Sequence, residues 1–237
     1  DQKSSDYNAI KDLFRPGHAD FTYLQKYGIR DHKGSGRASG RETAARVAAG
    51  AVAMKILKEK GVQITAYTIK AAGISCEDRD LAVIEKNKMR ACDSQAAEKM
   101  EQKIRALAEE GDSAGGIIEC IATGVAPGLG EPVFEKIDAE LARAVMSLGA
   151  VKAVEFGAGF ACVDMKGSEH NDSMDSRGFK TNNAGGMIGG ITTGEDIIFR
   201  IAVKPTSSIS KVQNTVNVAG EEKAIRTEGR HDPCICP

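Results

Sequence analysis

From Asp196 to Lys204, apolar Ile197, Phe199, Ile201 and Val203 alternate with charged Arg200 and Lys204. A period of two marks a strand with one face in a core and the other among polar groups. Such a strand needs partners. Val62–Lys70, Gly116–Thr123, Val151–Phe156 and Lys211–Val218 read as further strands, with Val62, Ile64 and Ala66 on one face of the first. Met187–Thr192 and Asp196–Lys204 read as two arms of a hairpin across Thr193-Gly194-Glu195.

Between these runs the period changes to that of a helix. Glu42–Lys60 carries Ala45, Ala48, Val52 and Leu57 as a stripe and stops at Gly61. Ser39 and Glu42 are spaced as a capping box at its start. Ser94–Glu110 places Ala97, Met100, Ile104 and Leu107 on one face. Glu131–Leu148 does the same with Phe134, Ile137, Leu141, Ala144, Val145 and Leu148, after a turn at Pro127-Gly128-Leu129-Gly130. Helices separated by strands would suit a parallel sheet. The hairpin argues for antiparallel pairing, so the fold class is α+β. Residues 1–40 and 164–186 are polar, glycine-rich and read as loop.

A net charge of -1, from 32 Lys+Arg against 33 Asp+Glu, gives no reason to expect nucleic acid or a membrane surface as partner. No apolar run approaches the ~20 residues that span a bilayer. Six cysteines without framework spacing read as reduced thiols, which suits a cytoplasmic protein. The sequence starts at Asp1 with no initiator Met or leader and stops at Pro237, so it is read as one domain, residues 1–237, incomplete at both ends.

Five places carry side chains suited to chemistry. In Arg15-Pro16-Gly17-His18-Ala19-Asp20, Arg15 and His18 project from one turn. His18 is either a solvated turn residue or a proton-transfer group. Ser39, flanked by Arg37 and Arg41, is a helix cap or part of an anion site. Lys204-Pro205-Thr206-Ser207-Ser208 ends a strand with one cation and three hydroxyls, as an ordinary turn or as donors to a phosphate or ring carbonyl. Arg230-His231-Asp232-Pro233-Cys234 is a solvated charge run or a set of proton-transfer and anion-binding groups. Asp164, Glu169, His170, Asp172 and Asp175 are irregularly spaced and lack a Cys or His pair, so no metal site is expected. Cys234 and Cys236 lack the Cys-x-x-Cys spacing of redox and zinc motifs. There is no Walker loop, dinucleotide fingerprint or nucleophile elbow. The residues alone describe an α+β protein whose basic loops suit a phosphorylated ligand.

Several stretches together resemble chorismate synthase. They are Asp1-Gln2-Lys3-Ser4-Ser5-Asp6-Tyr7, Phe14-Arg15-Pro16-Gly17-His18-Ala19-Asp20, the run from Gly36-Arg37-Ala38-Ser39 to Ala51, Gly111-Asp112-Ser113-Ala114-Gly115-Gly116, Asn182-Asn183-Ala184-Gly185-Gly186, Lys204-Pro205-Thr206-Ser207-Ser208 and Arg230-His231-Asp232-Pro233-Cys234. The resemblance implies a homotetrameric lyase with a helical core between antiparallel sheets. It implies the 1,4-elimination of phosphate from 5-enolpyruvylshikimate 3-phosphate, with reduced FMN as cofactor. Some members of that family reduce their own flavin with NADPH.

By the same resemblance Arg15 and Arg230 face the substrate, and His18 protonates or stabilises the reduced flavin. Asp232 lies near flavin N5, and Ser39 links to a further active-site histidine. The implied FMN contacts are Arg37, Ala38 and Ser39, then Gly149 and Ala150, Gly189, Lys204, Pro205, Thr206, Ser207, Ser208 and Arg230. Ala38 and Gly149 stand where the family usually has Ser and Asn. The family's Gly-Glu-Ser-His-Gly segment, with its other catalytic histidine, is not in this sequence. A module that only binds FMN or anions weakly is therefore the alternative to the lyase. A flavin-dependent oxidoreductase is a third reading, which the missing nicotinamide fingerprint disfavours.

Overall fold

The computed structural model describes residues 4–227 and 232–236. In chain order its elements begin with α1 (Asp20–Tyr27), α2 (Glu42–Glu59), β1 (Gln63–Ala71), β2 (Ile74–Ser75), α3 (Ser94–Glu109), β3 (Gly116–Thr123), α4 (Ile137–Met146) and β4 (Val151–Phe156). They continue with α5 (Gly167–His170), β5 (Met174–Asp175), β6 (Gly178–Phe179), β7 (Met187–Ile188), β8 (Ile191–Thr192), β9 (Ile197–Val203), β10 (Gln213–Val216) and β11 (Glu222–Ile225). The central sheet has five strands in the order β2-β1-β3-β9-β4, every neighbouring pair antiparallel. The class is α+β, as expected.

β9 behaves as its alternation dictates. Ile197, Phe199, Ile201 and Val203 are buried and the residues between them are half-buried. The buried set meets Ala97, Met100 and Ile104 of α3, with Ile137, Leu141 and Val145 of α4 packed around them. α3 is held at its start by Asp93, whose carboxylate accepts from Gln95 N at 2.9 Å and Ala96 N at 3.0 Å. At one end of the sheet, a Cβ on Gly116 would stand 2.3 Å from Lys70 O, so only glycine lets β1 and β3 meet there.

The opposite face carries a row of polar side chains in register. Tyr67 lies opposite Glu119, Glu119 opposite Arg200, and Arg200 opposite Glu155. The Tyr67 hydroxyl donates to Glu119 Oε1 at 2.6 Å, and Arg200 Nε donates to Glu119 Oε2 at 2.6 Å. Arg79 also pairs with Glu119, and Arg200 Nη1 reaches Glu155 Oε1 at 3.2 Å. Glu119 is completely buried, so it needs these partners. Burial, together with the bond to Glu119, pushes the Tyr67 hydroxyl well above its ordinary pKa. The 3-10 turn Leu81–Lys86 covers part of this face, where Ile84 packs with Tyr67 and Cys92.

Several local expectations change. Residues 20–27 form α1 rather than loop. The third helix starts at Ile137, not Glu131; residues 131–135 form a small turn closed by Glu131 and Glu135, and Phe134 is 90% exposed. Met187–Thr192 does not pair with β9. β7 and β8 pair with each other, and β9 lies between β3 and β4. On β1, Tyr67, Thr68 and Ala71 are buried while Ile64 is exposed. The capping box at Ser39 does not form. A turn already begins there, with Glu42 N bonded to Ser39 O at 3.1 Å, so the Ser39 hydroxyl meets Arg41 N at 3.3 Å instead.

α2 forms where expected but buries none of its residues. Val47, Val52, Met54 and Ile56 are exposed on it. Apolar side chains lie around the whole helix rather than along one stripe. Among the described residues no helix is long and apolar enough to cross a membrane.

Replacing Glu119 by Ala removes the shared acceptor of Tyr67, Arg79 and Arg200 and leaves Arg200 held from one side only, by Glu155 and Gly157 O. The expected loss is about 3 kcal/mol or more, read as a drop in the denaturant midpoint. Tyr67→Phe, which leaves both arginines on Glu119, is expected to cost only about 1 kcal/mol. Equal costs for the two variants would contradict this account of the row.

Candidate functional site

The buried carboxylate of Asp20, in the first turn of α1, organises the candidate site. Its Oδ2 accepts from Arg15 Nε at 2.8 Å and Arg15 N at 3.2 Å, and it faces Arg30 Nη1 at 3.3 Å. Its Oδ1 accepts from Arg15 Nη2 at 2.9 Å and faces His18 Nδ1 at 3.0 Å. On the other side of the imidazole, His18 Nε2 is 3.0 Å from Ser35 Oγ, which also accepts from Arg15 Nη2 at 2.9 Å. Burial opposes the ionisation of Asp20, but the bonds from Arg15 and His18 outweigh it and hold the carboxyl well below the usual range.

The local sequence explains the turn. Gly17 has φ +68°, a left-handed conformation that returns the chain so that His18 N bonds Arg15 O at 3.2 Å. A Cβ on Gly17 would lie 3.4 Å from Ser207 Cβ. The Arg15–His18 turn therefore abuts the Lys204–Ser208 loop. That loop leaves the sheet at the end of β9, where Lys204 N bonds Ala150 O at 2.9 Å. Thr206 Oγ1 donates to Asp232 O at 2.8 Å, and Ser113 Oγ donates to Thr206 O at 2.7 Å. A cavity of about 70 Å³ opens beside them, lined by Asp112, Ser113, Ser208, Ser210, Asp232 and Pro233 among others.

Contacts thus join Arg15, Gly17, His18, Thr206, Ser207, Lys204, Ala150 and Asp232 into one neighbourhood. Ala38 lines the small cavity at His18. Arg37 is exposed and makes no side-chain bond among the described residues. Ser39 accepts from Arg41 Nε at 3.0 Å. None of these bonds reaches Gly189, at the tip of the β7–β8 hairpin, or Gly149. Arg230, expected to face substrate and flavin, lies outside the described residues, as does His231. Asp20, Arg30 and Ser35 were not singled out by sequence reasoning. The signal for Asp20 was its spacing, five residues after Arg15 and two after His18.

The donor set suits a phosphorylated, ring-bearing ligand. Lys204 Nζ donates only to Pro205 O among the described residues, and the Ser207 and Ser208 hydroxyls make no hydrogen bond there. Burial, with Lys152 nearby, lowers the Lys204 pKa. Arg15, itself buried, commits Nε and Nη2 to Asp20 and Ser35, and its Nη1 makes no hydrogen bond among the described residues. Elsewhere, Glu169, Asp172 and Asp175 serve as turn acceptors. Asp172, for example, accepts from Asn183 N at 2.7 Å and Ala184 N at 2.8 Å. Cys234 and Cys236 are buried free thiols, and their mutual hydrogen bond lowers the pKa of Cys234 and raises that of Cys236.

Comparison with known proteins agrees in sequence and in shape. The chorismate synthase family model matches residues 1–237. A chorismate synthase from Syntrophobacter fumaroxidans (strain DSM 10017 / MPOB) is 52% identical over 237 residues, which is 100% of this chain and 68% of that protein. A crystal structure of chorismate synthase superposes with a TM-score of 0.72 and 34% identity, covering 79% of this chain. The chain spans 63% of the length of that solved chain.

The depressed pKa of Asp20 fixes a pH dependence. Its pairing stabilises the fold above the ordinary aspartate value of 3.8, and that contribution is lost as pH falls below it. Acid unfolding should therefore steepen below about pH 4. An Asp20→Asn variant should be less stable at neutral pH and show a shallower acid limb. Stability curves from pH 2 to 7 that are parallel for the two proteins would contradict the pairing.

Proposed function

The chain belongs to the chorismate synthase family, and on that premise we propose that it converts 5-enolpyruvylshikimate 3-phosphate to chorismate. The elimination breaks the C3–O bond, with phosphate taking the bonding pair, and the C6–H bond, and it forms a second ring double bond. Reduced FMN, when bound, supplies an electron-rich ring and a basic nitrogen. The observation that supports this reading is the contact of Gly17 with the 204–208 loop, which sets the Arg15–His18 turn against Lys204 and two free hydroxyls.

The chain's own groups divide the work. Lys204, Ser207, Ser208 and the unpaired Arg37 would hold the flavin's phosphate and ring carbonyls. Thr206 contributes by fixing Asp232 through its backbone. Nη1 of Arg15 meets an anionic group of the substrate, and Asp20 keeps that guanidinium in plane. His18 holds a proton where negative charge develops. The exposed Asp232 carboxylate accepts or relays the proton lost from C6. The homotetramer rests on family membership alone.

The direct test is chorismate formation from the phosphorylated substrate with photoreduced FMN, without oxygen. Flavin binding without turnover would favour the binding-module reading instead. Lys204→Ala should weaken flavin binding by about tenfold or more, the worth of one charge-assisted bond, with an unchanged unfolding midpoint. Unchanged affinity in a fluorescence titration would remove Lys204 from the flavin site. Asp232→Asn keeps the size of the side chain and removes its charge. Turnover should fall roughly 10²–10⁴-fold with flavin still bound, and near-normal turnover would rule out the proton role.

A further inference from the structure

We propose that Asp20 and Ser35 are positioning residues for His18, Asp20 fixing the proton on Nδ1 and Ser35 holding Nε2. This rests on the reading above, in which His18 handles a proton. The geometry carries it. An ionised carboxylate can only accept hydrogen bonds. Asp20 Oδ1 stands 3.0 Å from His18 Nδ1 as an ion-pair contact, and that nitrogen is buried without a formed hydrogen bond among the described residues. A hydrogen on Nδ1 makes this contact attractive; a bare Nδ1 would set a lone pair against a carboxylate. In the neutral ring Nε2 is then unprotonated and accepts the Ser35 hydroxyl at 3.0 Å. The Ser35 oxygen in turn accepts from Arg15 Nη2. Arg15 Nη2 uses its two hydrogens on Asp20 Oδ1 and Ser35 Oγ, which closes the chain.

Ser35 has φ +67°, a conformation that glycine adopts freely and serine adopts at a cost. Asp31 stabilises it from outside, accepting from Ser35 N through its backbone carbonyl and from Gly36 N through its side chain. What serine adds over glycine here is a hydroxyl that meets His18 and accepts from Arg15. The other titratable groups facing the imidazole are Tyr23, Arg30 and Asp31, which line the same small cavity, and Arg15 beyond Ser35. Two arginines already neutralise Asp20, so its effect on His18 is one of orientation.

The test reads the proton directly. The full chain is labelled with ¹⁵N-histidine, and long-range ¹H–¹⁵N spectra are recorded where the imidazole is neutral. The signal is assigned by its loss in His18→Gln. Wild type should show hydrogen on Nδ1. In Asp20→Asn the amide has to choose a side. Oδ2 receives three donors and Oδ1 faces two, so the NH2 group takes the Oδ1 side and donates to Nδ1. The hydrogen should then move to Nε2. Ser35→Gly should keep it on Nδ1 and fold at least as well as wild type, yet lose about tenfold or more in kcat. A wild-type hydrogen on Nε2 overturns the proposal, and so does normal kcat in Ser35→Gly. If Asp20→Asn fails to fold, these two measurements still decide it. Absence of chorismate formation by wild type would overturn the functional reading, while the spectra would still report where the proton sits.

Discussion

The pairing of Glu119 with Arg200 sets where the rest of the molecule can lie. Side chains alternate across a sheet, so a slip of one residue in β9 would turn Arg200 into the apolar face and Phe199 and Ile201 out of it. Glu119 would then stay buried with Tyr67 and Arg79 alone. The cost of burying the Arg200 guanidinium among apolar side chains makes such a slip prohibitive. Arg200 is held from both sides, by Glu119 on β3 and Glu155 on β4, and it also donates to Gly157 O at 2.8 Å. Register is thereby fixed along the strand to Val203, opposite Gly116 and Val151. The 204–208 loop begins one residue later, so the charge row in the sheet determines where the loop's hydroxyls emerge.

Elements whose residues obey one period were legible in the sequence. β9, β3, β4 and α3 occupy the expected positions because their apolar residues meet a single packed face. α1 was not legible, because its one buried residue is an aspartate and no apolar stripe announces it. Phe134 had helical spacing with Ile137 and Leu141, yet it lies in a turn containing Pro132, so periodicity misled there. The expected hairpin failed for another reason. Alternation identifies a strand but not its partner, and β9 found both of its neighbours far away in sequence, at 116–122 and 151–156.

The site was legible in part. Arg15, His18 and Lys204–Ser208 stood out by residue type, and the resemblance gave them roles. Asp20 and Ser35 did not, since an acid at a helix start and a serine among glycines are ordinary features. Only tertiary structure shows that Asp20 gathers two arginines and a histidine, or that Ser35 occupies a left-handed position to reach that histidine. Ser39 shows the converse. Its sequence context was suggestive, but the early turn at 39–42 took its hydroxyl away from the helix end.

The cluster's charges explain why a histidine belongs in it. Arg30, lining this cavity, and Arg15, behind Ser35, oppose Asp20 and Asp31, so the cluster around it carries no net charge until the imidazole does. Asp31 turns its oxygens to Lys33 N and Gly36 N, and Asp20 turns both of its own to cations, so neither carboxylate is free to repel an incoming anion. On the proposed reaction, an arginine in place of His18 would make the field permanently positive and hold back the departing phosphate. A neutral residue would offer no charge where the leaving group develops its own. A histidine lets one proton set the sign of the field, and its two ring nitrogens allow that proton to be placed by neighbours that never touch the ligand.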